Sequence, residues 1–491
     1  MALYYITQKP ESFQNLIQGS HSGFGFQEIP PSAGPLFVNF YRKELGLDFS
    51  LAGLVRRLRL FYNQPTLTDA DAIPGFVYGS PNSVRSPGST GLDEALIQVN
   101  TGSPRIPIII IPDIGGSRIF AKWSRNNTEY VKHLDAFGNF ETADKWKCKD
   151  IETSWTDLWF PNSTSGLVEY CWSSVARIEP ESGIPKNAQG VETMVPNIDS
   201  SDSGLNFIDD SSTGKSPYST LVKSLISIGY VPGSTLFGAH YDFRRITQDM
   251  PRFVAMLSGL INAKNAGSGT GAIIIGHGFG AVIASNFIQQ VNPQWSKDNI
   301  KAFVPINGSW GGVPKALKVL LSGDALQSTE ESKLVRNTTR NYDGLQLLLP
   351  GPELYNNEKI LDVDTATYTI NQVPEILKTI MLDSNVLNEF RHASLVTPDT
   401  NVFIMAGTGL ATESSYKYAS DTLDTLVRIN NKYIGDGTVP ESVPMKINAM
   451  WSATNPNVQL KMYNNAEHLQ ILSMYEPLKD LLEYIVGLNK M

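Results

Sequence analysis

The chain has 491 residues and a mass of 54.0 kDa, room for one large α/β domain with insertions or for roughly three smaller domains. With 40 basic against 48 acidic residues the formal charge is −8, which argues against non-specific nucleic-acid binding. Hydrophobic residues at 41% and charged residues at 18% make it globular, and two cysteines exclude a disulfide scaffold, a cysteine-only zinc site and a self-ligated iron–sulfur cluster.

The start, Met1-Ala2-Leu3-Tyr4-Tyr5-Ile6-Thr7-Gln8-Lys9, lacks a basic run and a sustained apolar stretch, so it does not read as a secretory signal peptide. Residues 1–103 mix aromatic, Gly and Pro residues with short basic runs such as Arg56-Arg57-Leu58-Arg59, and read as an N-terminal extension of unassigned fold. Within it, 50–62 reads as a basic amphipathic helix with a solvated face, or one that meets a membrane or partner. Near Pro104 the character changes. Ile106-Pro107-Ile108-Ile109-Ile110-Ile111 is a continuous apolar run entering the glycine turn Pro112-Asp113-Ile114-Gly115-Gly116-Ser117, the pattern of a buried parallel strand. A helix is predicted over 221–229, a strand near 234–238, a strand over 272–275 with a helix from Ala281, and strands over 300–306, 401–406 and 458–463. This alternation predicts an α/β fold with a mostly parallel central sheet in a domain spanning 104–491. Segments of about 120–196 and about 310–396 interrupt it and read as lid and cap insertions. Residues 271–288 carry no formal charge over a membrane-length stretch, but four glycines with His277, Ser285 and Asn286 make them strand, turn and helix.

Chemistry concentrates in Ile273-Ile274-Ile275-Gly276-His277-Gly278-Phe279-Gly280-Ala281. An apolar strand, G-x-nucleophile-x-G and a helix form a nucleophile elbow. Its sharp turn lifts one side chain above the strand ends, with the next backbone N–H beside it as an oxyanion donor. Here the middle residue is Gly278, which has no side chain to attack with. The spacing is not G-x-G-x-x-G, and no acidic residue ends a strand about 20 residues on, so a dinucleotide loop is not indicated. The earlier turn at 112–117 lies where an α/β-hydrolase places its second oxyanion donor. Gly435-Asp436-Gly437-Thr438-Val439 and Ala466-Glu467-His468-Leu469 then follow in the order nucleophile position, acid, histidine. Six histidines without an H-x-x-x-H or H-E-x-x-H pattern give no metal site, and no cofactor is expected.

This ordered set resembles the lecithin:cholesterol acyltransferase family, with its lysosomal phospholipase and phospholipid:diacylglycerol acyltransferase relatives. Residues 111–117 are similar to the family's V-P-G-x-G-G-S turn, and Trp155-Thr156-Asp157-Leu158 with Cys171-Trp172 to its lid. Asn187-Ala188-Gln189-Gly190-Val191, Tyr241-Asp242-Phe243-Arg244 and Ser309-Trp310-Gly311-Gly312 are similar to its N-A-x-G-V, Y-D-W-R and P-W-G-G segments. The resemblance runs from near Pro104 to the end of the chain. It implies an α/β-hydrolase fold with a lid, a membrane-facing subdomain and a cap. It implies a phospholipid or other lipid ester as acyl donor, with water or a lipid alcohol as acceptor, and contact with a membrane surface. Carried over, Asp436 is the orienting acid, His468 the base, and the backbone N–H groups of Gly115 and Phe279 the oxyanion hole. Cys148 and Cys171 fall where the family has its lid disulfide, which would close a loop of about 23 residues, contribute roughly 3 kcal/mol and favour an oxidising compartment, against the absence of a signal peptide. Asn126, Asn162 and Asn337 begin N-x-Ser/Thr sequons. Trp155, Trp159 and Phe160 are either a lipid-facing patch or the lid's own core. Residues 1–103 have no family counterpart and offer a segment for assembly with a protein partner.

Two positions depart from the family: Gly278 replaces the serine, and Asp113 replaces a glycine. Losing a triad serine costs on the order of a million-fold in rate. A carboxylate at 113 would oppose a developing oxyanion by roughly 4 kcal/mol at about 4 Å and an effective dielectric of about 20. Glycine at the elbow also relieves backbone strain of about 1–3 kcal/mol. The expectation is a catalytically degenerate member that keeps the fold and a lipid-binding or scaffold role. The alternative is an active acyltransferase or acyl hydrolase that uses Asp113, or a water activated by His468. Ser117, Ser285 and Ser309 read as turn or helix residues rather than substitute nucleophiles. His240 and His277 read as packing residues, Asp242 and Arg244 as a structural ion pair, and Asp436 with His468, lacking a serine, as a buried pair joining two loops.

Overall fold

The computed structural model describes residues 105–124, 150–158, 172–182, 184–198, 204–205, 217–266, 269–323, 335–379, 388–420, 423 and 425–490. The extension 1–103, with the helix expected over 50–62, and Cys148, Cys171, Trp159, Phe160, Asn126 and Asn162 lie outside the described residues. Ser103–Val222 and Tyr230–Pro477 form one compact unit; the described residues of a second are 223–229 and 478–490.

The first unit is built on a six-stranded sheet: β1 (Ile108–Ile111), β2 (Leu236–Gly238), β3 (Ala272–His277), β4 (Ile300–Ile306), β5 (Asn401–Thr408) and β6 (Val458–Asn464). The spatial order is β2-β1-β3-β4-β5-β6, and every pairing is parallel. All residues of β1, β2 and β3 are buried, so these strands read as unbroken apolar runs, the pattern of a parallel sheet buried on both faces. Helix α1 (Ile246–Asn265) precedes β3 and α2 (Phe279–Gln290) follows it, packing against β3 and β1; α3 (Ser442–Ser452) packs on β5 and β6. Trp310 and Trp451 meet edge to face in the core, ring centres 5.2 Å apart. The chain passes from β1 outward to β2 and returns across β1 to β3. The boundary between β1 and β3 is thus a topological switch point, and open α/β sheets place their ligands at the carboxyl ends of the strands at such a point.

Several sequence-predicted bounds shift. The helix expected over 221–229 spans Ser219–Ser227. β2 begins at Leu236 because the Val231 carbonyl accepts the N–H groups of Ser234, Thr235 and Leu236, closing a turn where strand was expected. β3 continues to His277, β5 to Thr408 and β6 to Asn464. Other segments of the chain form smaller sheets. Phe120–Ser124 pairs antiparallel with both Ile151–Asp157 and Val191–Met194. Lys359–Asp362 pairs with Thr367–Thr369 and with Ser415–Tyr418, which pairs in turn with Leu426–Asn430. Asp343 is tied to the start of α1. Its carboxylate caps the helix by accepting the N–H groups of Ile246 at 2.7 Å and Thr247 at 2.9 Å. Among the described residues no helix is long and apolar enough to cross a membrane, and 271–288 is strand, turn and helix.

Candidate active site

The elbow at the end of β3 has its full backbone form. Gly278 sits at φ 54°, ψ −120°, a region that strains any residue with a Cβ. Helix α2 starts immediately after it at Phe279, two residues earlier than Ala281. Gly280 lets the helix approach β1, since a Cβ there would strike the backbone of Ile111 and Pro112. The Gly278 N–H donates to the Ile306 carbonyl at 3.0 Å, and its carbonyl accepts from Ser309 N–H at 3.2 Å. The turn is thereby fixed from β4.

The register of β1 on β3 pairs Ile111 with Gly276. Two residues further along each strand, Asp113 and Gly278 meet. A Cβ built on Gly278 would lie within 2.7 Å of the Asp113 Cγ, Oδ1 and Oδ2, closer than real Cβ contacts come. The carboxylate therefore fills the place of an elbow side chain. Its Oδ1 accepts the Phe279 N–H at 2.6 Å, and its Oδ2 lies 3.2 Å from His468 Nε2. His468 Nδ1 lies 2.7 Å from Asp436 Oδ2. Asp436 Oδ1 accepts the N–H groups of Thr438 and Val439, and its carbonyl accepts His468 N–H at 3.0 Å. The sequence-predicted Asp436, His468, Asp113, Gly278 and Phe279 are thus brought together, while Gly115 is the exposed residue of the turn 114–116.

Electrostatics set the protons. Burial pushes the Asp113 carboxyl up, but the hydrogen bond and charge of His468 and the Phe279 N–H bring it down to about 2. Burial opposes charge on His468, yet the Asp436 carboxylate first, and then Asp113, raise it well above the usual imidazole range. At neutral pH His468 is thus an imidazolium beside the Asp113 carboxylate, and both of its ring N–H bonds are donated, to Asp113 and to Asp436. An imidazolium bonded in this way has no lone pair with which to accept a proton.

A layer beneath the site holds this arrangement, and sequence reasoning missed its main members. Asp113 N–H donates to Tyr218 Oη at 2.7 Å, and Tyr218 Oη lies 2.8 Å from His277 Nδ1. The tyrosine hydrogen therefore points at Nδ1, and His277 carries its proton on Nε2, which donates to the His468 carbonyl at 2.9 Å. Burial, reinforced by the charge on His468, lowers His277 to about 4 and keeps it neutral. Asn307, at φ 47°, donates to the same carbonyl at 3.0 Å and accepts Gly407 N–H at 2.7 Å. No local motif marks Tyr218 or Asn307; only the strand order brings them here.

The other singled-out residues are structural. Ser117 exchanges hydrogen bonds with the Tyr241 backbone. Ser285 donates to the Ala281 carbonyl and accepts Trp310 Nε1. Ser309 is buried beside the elbow. His240 accepts Arg118 N–H on Nδ1 and donates from Nε2 to Gly204, and burial lowers it to about 4. Arg244 is fully buried and paired twice with Asp242, at 2.9 and 2.6 Å, with further bonds to Ala176 and Asn187. Trp155 is 42% exposed, and the Lys122 ammonium lies 5.0 Å from its ring centre. Asn337 is exposed in a helical turn over 335–339. No group of three or more metal-ligating side chains occurs among the described residues.

The charge triad has a pH signature. Because folding depresses the Asp113 pKa from 3.8 to about 2, its stabilisation is complete above about pH 4 and fades as pH falls toward 2. The shift corresponds to about 2 kcal/mol. Urea unfolding at pH 6 and pH 2.5 is expected to show this acid loss for the native chain and a smaller one for Asp113→Asn.

A parallel sheet with an elbow after β3, an acid loop after β5 and a histidine loop after β6 is the α/β-hydrolase fold. Within that class, the model of the lecithin:cholesterol acyltransferase family matches residues 152–368. The chain is 26% identical over 394 residues to the lysosomal phospholipase A and acyltransferase of Canis lupus familiaris, covering 78% of this chain and 92% of the relative. It is 23% identical over 399 residues to the phosphatidylcholine-sterol acyltransferase of Mus musculus, covering 78% and 85%. A solved chain from the Tle4-Tli4 complex is similar at TM-score 0.45 and 12% identity, over 79% of this chain and 99% of that one.

Proposed function

We propose that this chain holds a lipid ester at the carboxyl edge of its sheet and does not transfer the acyl group. The observation that carries this reading is the Asp113 carboxylate. It occupies the space of an elbow side chain, takes the Phe279 N–H that would serve an oxyanion, and keeps His468 protonated. Asp436 still orients His468, but the base has nothing to deprotonate and no capacity to do so. The Phe279 and Gly115 N–H groups would act as an oxyanion hole only if Asp113 were withdrawn. The retained function is lipid binding or scaffolding by the domain 104–491, with its lid at about 120–196 and cap at about 310–396. Trp155 is the described residue placed to meet a membrane, and 1–103 is the segment offered to a protein partner. Exposed Ile151 on the same strand as Trp155 supports the membrane-facing part.

The test uses the full chain with phosphatidylcholine vesicles, with and without a long-chain alcohol, reading co-flotation and the release or transfer of fatty acid. Co-flotation without ester turnover above the protein-free rate is expected. Turnover that disappears in Asp113→Ala would overturn the silent reading, and absence of co-flotation would overturn the lipid-binding part.

A further inference from the structure

We infer that the Asp113 carboxylate is itself a nucleophile, directed at saturated carbon, and that this site opens alkyl epoxides to diols. The inference goes beyond the silence toward esters, and that silence is consistent with it. A carboxylate that adds to an ester carbonyl is a better leaving group than the alkoxide it must expel, so the adduct reverts. Displacement at a saturated carbon breaks a strained C–O bond and leaves a stable alkyl ester.

The geometry separates the two oxygens of Asp113. Oδ1 is held by the Phe279 N–H at 2.6 Å, while Oδ2 faces His468 Nε2 at 3.2 Å. The side chain keeps 16% of its surface, so the group can be reached. Gly278 is then a requirement of the arrangement, because any Cβ there would displace this carboxylate. The resting protons also fit. Oδ2 bonds to a ring carbon, the ring C–O bond breaks, and the alkoxide takes the Nε2 proton of His468, giving a neutral imidazole and an alkyl ester on Asp113. Neutral His468, still oriented by Asp436, next takes a proton from a water that adds to Cγ, with the oxyanion at Oδ1 against Phe279 N–H. The C–Oδ2 bond breaks, and the diol leaves with Oδ2 after taking the proton back from His468. The new carboxylic acid passes its proton to His468, which restores carboxylate and imidazolium. Water and epoxide are consumed, one diol forms, and no oxidant or metal enters.

That the carbon chain is a fatty one rests on the lipid-binding reading; the chemistry at Asp113 does not. The test therefore offers the full chain two probes, styrene oxide and cis-9,10-epoxystearic acid, in water enriched in oxygen-18. Diol from both is expected. A first turnover should place the label in the Asp113-containing peptide, a gain of one oxygen-18, and not in the diol. Diol from styrene oxide alone would sustain the chemistry and overturn the fatty-chain part. No diol from either, or label entering the diol in the first turnover, would overturn the inference. Asp113→Ala should reduce diol formation to the protein-free rate, and full activity in that variant would also overturn it.

Discussion

Gly278→Ser alone is expected to leave the protein inactive toward phospholipid esters and to destabilise it by about 3 kcal/mol or more. Overpacking against a filled site costs about 1–3 kcal/mol, and a side chain in this backbone region costs a similar amount. The serine Cβ would meet the Asp113 carboxyl, and its hydroxyl would find the His468 and Phe279 bonds already made. Gly278→Ser combined with Asp113→Gly removes the obstacle and the carboxylate's hold on the Phe279 N–H. His468 loses one of its two carboxylates, so its proton affinity falls toward the range of a usable base. The double variant is expected to release fatty acid from phosphatidylcholine at least about a thousand-fold faster than the native chain, a fraction of the million-fold that a serine triad supplies. Asp113→Gly alone stays inactive, for want of a nucleophile. Fatty-acid release and urea denaturation of the four proteins check this, and an active, undestabilised Gly278→Ser would show that Asp113 does not fill the elbow.

His468→Ala should destabilise the fold by about 3–5 kcal/mol, the usual cost of breaking a buried ion arrangement and leaving charge unpaired. The histidine stands between the carboxylates of Asp113 and Asp436, and its carbonyl also receives His277 and Asn307. Removing it leaves two anions facing each other with no cation between them. In a working hydrolase the corresponding loss falls mainly on rate, because catalytic groups are commonly held at some cost in stability. Urea unfolding at pH 7 reads the difference: a large drop marks the triad as structural, and an unchanged midpoint would contradict the charges assigned here.

The sheet was legible because buried parallel strands have no polar face. The runs at 106–111 and 272–275 announce themselves, and so does the elbow between Gly276 and Gly280. The elements of the first insertion were not legible. Ile151–Asp157 is mostly exposed and polar, so it offers neither an apolar run nor a clean alternation. The start of α2 was placed late because Gly278 supplies no side-chain cap. Asp113 could be singled out as a departure, but its meaning depended on a register. Only the pairing of Ile111 with Gly276 shows that its carboxylate stands in the elbow rather than merely near an oxyanion. Tyr218 and Asn307 were illegible for the same reason, since their partners are far away in sequence.

The most direct measurement is nitrogen-15 NMR of the His468 ring in the full chain between pH 5 and pH 8. An imidazolium is expected throughout, with both ring nitrogens protonated and no titration in that range, and a return toward ordinary histidine titration in Asp113→Ala. A neutral imidazole at pH 7, titrating near 6–7 whether or not Asp113 is present, would contradict the claim that a carboxylate has taken the nucleophile's place.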